Sequence, residues 1–180
     1  VFKLQENIWF NPNNIKKIAK DINNPTGNEI ARAGRVDESQ HDFYNPRAFG
    51  IGFFAAIIIQ ASNVTLDLNG FKIEQSFEHS IQQRFFSIIE LASIPFIPKQ
   101  GPHTFGRNIK SAEKCLIKNG TLGRSSHHGI HGNLASDIII TNIKFENYEV
   151  GTISLNGVRN IFIDNILAKG HSNNVQVLGI

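Results

Sequence analysis

The sequence predicts an all-β fold, a parallel β-helix solenoid with coils of about 23 residues, and two observations carry that expectation. Asn119, Asn142 and Asn165 stand 23 residues apart, and the apolar pairs before them keep step: Cys115 and Ile117, Ile138 and Ile140, Ile161 and Ile163. Ile130 and Asn133 recur as Ile153 and Asn156 with the same period. A period of about 20–50 residues marks repeat architectures. Apolar–polar alternation inside each unit marks short strands half buried against a core.

Taken in order, residues 1–12 read as an initial strand, with Val1, Phe2, Leu4, Ile8, Trp9 and Phe10 supplying apolar surface until Pro12 and Asn13-Asn14 break it. Ile15, Ile18, Ala19 and Ile22 then follow helical spacing. They predict a short N-terminal capping helix, started by Asn13 or Asn14, that covers the open end of the core. Residues 23–48 are rich in turn formers and read as a long polar loop; His41, Asp42 and Tyr44 in it have no metal-ligand spacing. The division expected is therefore 1–50 as cap and polar loop and 51–180 as coils that continue beyond residue 180.

The repeating part begins at Ala55–Gln60 and continues with Asn63–Ile73, where Val64, Leu66 and Leu68 alternate with Thr65 and Asp67. Asn69-Gly70 resembles Asn119-Gly120 with a register difference of about one residue, which a bulge accommodates. Residues 75–85 and 93–111 interrupt the period. Their apolar residues, Phe77, Ile81, Phe96, Ile97 and Phe105, are expected to pack on one outer face. Asn and Gly suit the corners because they tolerate left-handed backbone. Stacked Asn amides are expected to bond along the stack, with Asn142 buried.

Composition excludes several classes. The net charge of +3, from 18 basic and 15 acidic residues, is too mild and too scattered for a nucleic-acid interface. A single cysteine, Cys115, excludes an internal disulfide framework and is expected to be a buried structural thiol. The longest apolar run, Phe49–Ile59, is shorter than the roughly 20 residues that span a bilayer.

Asn63-Val64-Thr65-Leu66-Asp67-Leu68-Asn69-Gly70, together with Lys118-Asn119-Gly120-Thr121, resembles the right-handed parallel β-helix (pectin-lyase-like) superfamily over roughly residues 50–180. The resemblance implies a right-handed solenoid and carbohydrate as the commonest ligand. It does not carry over any catalytic set. Ile130-His131-Gly132 lacks the paired aspartates of polygalacturonases, no aspartate stack like that of pectate lyases is present, and His41–Pro46 is not the epimerase motif.

The densest polar cluster is Arg124-Ser125-Ser126-His127-His128-Gly129-Ile130-His131. Aligning inward residues (Ile89 and Leu91, Ile130 and Gly132, Ile153 and Leu155) puts Glu90, His131 and Ser154 in one outward column. Parallel strands lie about 4.8 Å apart, so Glu90 and His131 are expected to be neighbours on an exposed face. There they form a candidate catalytic acid–base pair. His103, Arg124, His127, His128 and Ser154 are the candidate ligand-binding residues. No metal site and no cofactor are expected.

Two functional readings follow. One is a non-catalytic β-helix module of a virion or cell-surface structural protein, with glycan binding as an added property. The other is a polysaccharide lyase, glycoside hydrolase or uronan epimerase. The partners expected are a carbohydrate polymer, neighbouring subunits or the remainder of the chain, with no nucleic acid and no membrane span, in an extracellular, cell-surface or virion setting.

Overall fold

The computed structural model describes residues 1–11, 54–81, 85–95 and 109–170. Eleven strands are present among them: β1 (Phe2–Lys3), β2 (Ile8–Phe10), β3 (Phe54–Ile58), β4 (Thr65–Asp67), β5 (Lys72–Gln75), β6 (Phe86–Glu90), β7 (Glu113–Leu122), β8 (His128–Asn133), β9 (Ser136–Glu146), β10 (Gly151–Asn156) and β11 (Arg159–Lys169). Every pairing between named strands is parallel. One sheet has seven strands: β11, β9 and β7 stack in turn, and β7 then pairs with both β4 and β5, which carry β1 and β2. The other has four, in the order β10, β8, β6, β3.

These findings correct the fold expected from sequence. The chain forms two parallel sheets, and they replace the capped right-handed solenoid as its description. The one helix among the described residues, α1 (Phe77–Ser80), spans four residues and lies between β5 and β6, far from the N-terminus. Residues 13–22, where the capping helix was expected, lie outside the described residues. The physical reason is that a 23-residue period reports only which residues pair on successive strands. It fixes register, and it carries no information on handedness, on closure or on what covers an end.

That register is followed closely. Cys115, Ile138 and Ile161 align, as do Ile117, Ile140 and Ile163, and Ile130 with Ile153. The inward faces of both sheets meet in one apolar core, where Leu66, Ile73, Ile89, Ile117, Leu122, Ile130, Ile138, Ile140 and Phe145 are buried. Cys115 belongs to this core, and burial pushes its thiol upward from the ordinary value.

The corners repeat with the same period because the backbone does. Asn119, Asn142 and Asn165 have φ of 62, 55 and 48°. A second column, Lys114, Asp137 and Asn160, has φ of 52, 55 and 53°. Left-handed backbone costs most side chains about 1–2 kcal/mol, and Asn and Asp least. The Asn amides bond along the stack: Asn165 Nδ2 donates to Asn142 Oδ1 at 2.7 Å, and Asn142 Nδ2 to Asn119 Oδ1 at 3.2 Å. Asn119 Nδ2 in turn donates to Asp67 Oδ1 at 3.2 Å. Asn142 is bonded as expected but exposed, since the corner turns outward. Parallel contacts tie Asn160 to Asp137 and Asn156 to Asn133.

Ahead of Asn69-Gly70 the strand is offset by the one residue expected, since Leu66 pairs with Ile117 and Asp67 with Lys118, and the turn itself then takes up two extra residues. Asp67 pairs with Lys118, yet Lys72 pairs with Thr121, so four intervening residues stand beside two.

Candidate functional site

The site lies on the outer side of the four-stranded sheet. Register pairs Glu90 with His131 and His131 with Ser154, so the column expected from sequence is present. Glu90 Oε2 lies 2.7 Å from His131 Nδ1, and the Ser87 hydroxyl donates to the same oxygen at 3.1 Å. The pair is not on an exposed face: Glu90 is 0% and His131 4% exposed. Burial by the chain itself corrects that part of the expectation.

The insertion that follows β6 begins and ends beside this sheet. After β6 the chain turns at Leu91–Pro95, and Ala92 makes an antiparallel bridge to Ser111. Ser93 N–H donates to the Lys110 carbonyl at 2.8 Å, and Lys110 N–H donates to Ser93 Oγ at 3.0 Å. The two ends of the 93–111 insertion are thus held together against the sheet. Ile94 packs there with Ala55, Phe85 and Ile109 in a second small apolar cluster. Asn133 Nδ2 reaches the Pro95 carbonyl at 2.8 Å. The intervening residues 96–108, including His103, Phe96, Ile97 and Phe105, lie outside the described residues. The 75–85 insertion does not cover the wall with Phe77 or Ile81, which are both exposed.

Aromatic rings complete the cluster. His128 stacks on His131 with centroids 5.3 Å apart and planes 17° from parallel. Phe85 meets His131 edge-on at 5.3 Å and His127 at 4.9 Å. Burial pushes the Glu90 carboxyl above the usual range, against the pull of His131 and Ser87. Burial also holds the His128 imidazole down at about 4, with His131 and His127 adding to the same direction. His127 is lowered by burial as well, opposed by Glu149. Two polar atoms here are buried without a hydrogen-bond partner, Glu90 Oε1 and His128 Nδ1.

Glu90, His131, His128 and His127 are therefore brought together, and Ser154 borders them, half-buried. Arg124 is directed elsewhere. Its Nη1 donates to the Gln75 carbonyl at 3.1 Å, and its guanidinium lies 5.8 Å from the Phe77 ring centre. Among the described residues no three His, Cys, Asp or Glu side chains form a metal-binding group, and no helix is long and apolar enough to cross a membrane.

Two groups escaped the sequence reading. Ser87 shares the His128 register position and was findable by extending that column backward. The other is a buried polar corner. Gln75 Oε1 accepts from Ser126 N–H at 2.7 Å, and Gln75 Nε2 lies 2.9 Å from His79 Nδ1. Ser76 caps α1 by accepting from His79 N–H at 3.1 Å. A serine three residues before the residue it bonds is an N-cap signal.

Chemically, a carboxyl with raised proton affinity against an imidazole is a proton-transfer unit. In this cluster it is enclosed. No protein-family model, curated protein or solved structure matches the chain, and nothing in those comparisons identifies the superfamily that its sequence resembles.

Proposed function

We propose that this chain is a non-catalytic structural module of a virion or cell-surface protein, in which the Glu90–His131 pair fastens adjacent strands. The observation that supports this most is the enclosure of the pair. Glu90 Oε2 bonds to His131 Nδ1 and accepts from Ser87, Phe85 lies edge-on against the imidazole, and both side chains are almost wholly buried. A buried hydrogen-bonded pair specifies register, because a one-residue slip would leave each polar partner alone in a low-dielectric site.

A second reading is favoured by one feature. Glu90 Oε1 lacks a partner, and the carboxyl is raised, as in a general acid. On that reading the chain acts on a carbohydrate polymer as a lyase, hydrolase or epimerase.

One experiment separates the two. The chain is incubated with a panel of neutral and uronate polysaccharides, and new reducing ends, unsaturated ends and epimerised residues are measured. The structural reading expects none. Turnover that disappears in Glu90→Gln while the fold persists would replace it with the enzymatic one.

A further inference from the structure

We infer that Asn63 is an acceptor for an N-linked glycan and that Asn119, in the chain's other acceptor pattern, is not. The inference takes from the proposed cell-surface or virion setting only the compartment in which a glycan donor is met. It holds whether or not the Glu90 cluster is catalytic.

Asn-X-Ser/Thr, with X other than proline, is the acceptor pattern. The sequence contains it twice, as Asn63-Val64-Thr65 and Asn119-Gly120-Thr121. Pro25 disqualifies Asn24-Pro25-Thr26. The pattern treats the two alike, and the structure separates them.

Asn63 belongs to the second left-handed column. Its N–H donates to the Glu113 carbonyl at 2.9 Å, and Thr65 pairs with Leu116. Asn63 therefore stands opposite Lys114 and continues the line of Lys114, Asp137 and Asn160. Its φ of 60° matches theirs. The bonding along that column does not reach it. Asn160 Nδ2 donates to Asp137 Oδ1 at 2.9 Å, but Lys114 Nζ turns to Glu113 Oε1 at 3.4 Å. A lysine side chain has no acceptor to offer an amide. Among the described residues nothing bonds to the Asn63 side chain, and Ala61, Ser62 and Asn63 are all exposed. A substituent on Asn63 Nδ2 therefore breaks no bond and has room at the corner.

Asn119 is placed in the opposite way. Its Nδ2 donates to Asp67 Oδ1 and its Oδ1 accepts from Asn142 Nδ2, both at 3.2 Å. Lys118 before it pairs with Asp67 on one side and Thr141 on the other, and Thr121 after it pairs with Lys72 and Lys144. A sugar ring on Asn119 Nδ2 would collide with the Asp67 carboxylate and break the column.

The transfer joins Asn63 Nδ2 to the anomeric carbon of an oligosaccharide carried on a polyprenyl diphosphate. The nitrogen lone pair makes the new C–N bond. The C–O bond to the diphosphate breaks with its electron pair leaving on oxygen, and the amide gives one proton to the transferase's base. Thr65 supplies the hydroxyl that the pattern requires.

The test expresses the chain behind a cleavable secretion signal in eukaryotic cells. Secreted and cell-retained protein are weighed intact before and after peptide-N-glycosidase. The added signal supplies the compartment, so a failure here is a failure of Asn63 and leaves the cell-surface or virion reading standing. Thr65→Val keeps the branched side chain in β4 and removes its hydroxyl, and Thr121→Val does the same in β7. The expected result is a single glycan on the unaltered chain, kept in Thr121→Val and Thr65→Ser and wholly lost in Thr65→Val and Asn63→Gln. An unaltered chain without glycan would overturn the inference. So would a glycan that survives Thr65→Val and disappears in Thr121→Val, or a second glycan on Asn119.

Discussion

Glu90 Oε2 and His131 Nδ1 meet at 2.7 Å between strands that are 41 residues apart in sequence, and His128 stacks on the same imidazole at 5.3 Å. Glu90 and His128 are thus held where water is scarce, and the pH dependence of stability reports on those two groups.

His128 is held at about 4, below its ordinary 6.5. Between those values the unfolded chain binds the extra proton and the folded chain does not, so stability is full above 6.5 and is lost as pH falls toward 4. Glu90 has the opposite sign. Its raised carboxyl favours the fold at low pH, and that contribution is lost as pH climbs from the ordinary 4.5 through the raised value. Urea denaturation from pH 4 to 7 should show a shallower acid-side loss in His128→Gln, by on the order of 1–3 kcal/mol. An unchanged acid limb would contradict the burial of that ring.

Asn142 both donates to Asn119 and accepts from Asn165 at a corner with φ of 55°. Asn142→Leu removes both bonds and adds left-handed strain, so it should cost roughly 1–3 kcal/mol. Asn142→Gly keeps the backbone at ease and should cost less. Equal stability of all three proteins in chemical denaturation would remove the amide column from the account.

Sequence made the register of this wall legible and left its surroundings illegible. The Asn and Ile columns were visible because parallel pairing repeats a residue's environment at one fixed spacing. The neighbourhood of Glu90 and His131 followed from the same arithmetic. Their burial did not follow, because the ring set against His131 is Phe85, which belongs to an insertion that breaks the period. The capped solenoid was inferred from a period that holds register alone. Arg124, grouped with the histidines by proximity in the chain, turns to Gln75 and Phe77 because the corner at Ser125 lies between them.

Gln75 is fully buried and satisfies the Ser126 N–H through Oε1. Gln75→Ala strands that donor, and a loss of about 1–3 kcal/mol is expected. Gln75→Glu keeps an acceptor but buries a charge, and should destabilise more strongly as pH rises above the carboxyl range. Thermal unfolding at two pH values measures both.

A methyl group built on Gly129 would lie 2.6 Å from the Phe145 ring and 2.7 Å from the Thr152 carbonyl oxygen. Phe145 is fully buried, so it has no room to retreat. Gly129→Ala should destabilise by roughly 1–3 kcal/mol through overpacking. Near-native stability in that variant would show that this part of the core yields.

The account's central claim is that Glu90 and His131 act as one fastening unit between β6 and β8. A double-mutant cycle with Glu90→Gln, His131→Gln and the pair, read by urea denaturation at pH 6, tests it most directly. The claim predicts that both single variants are destabilised and that the double variant loses less than their sum, with a coupling of about 1–3 kcal/mol. Additive single effects close to zero, with polysaccharide turnover abolished in either variant, would contradict it.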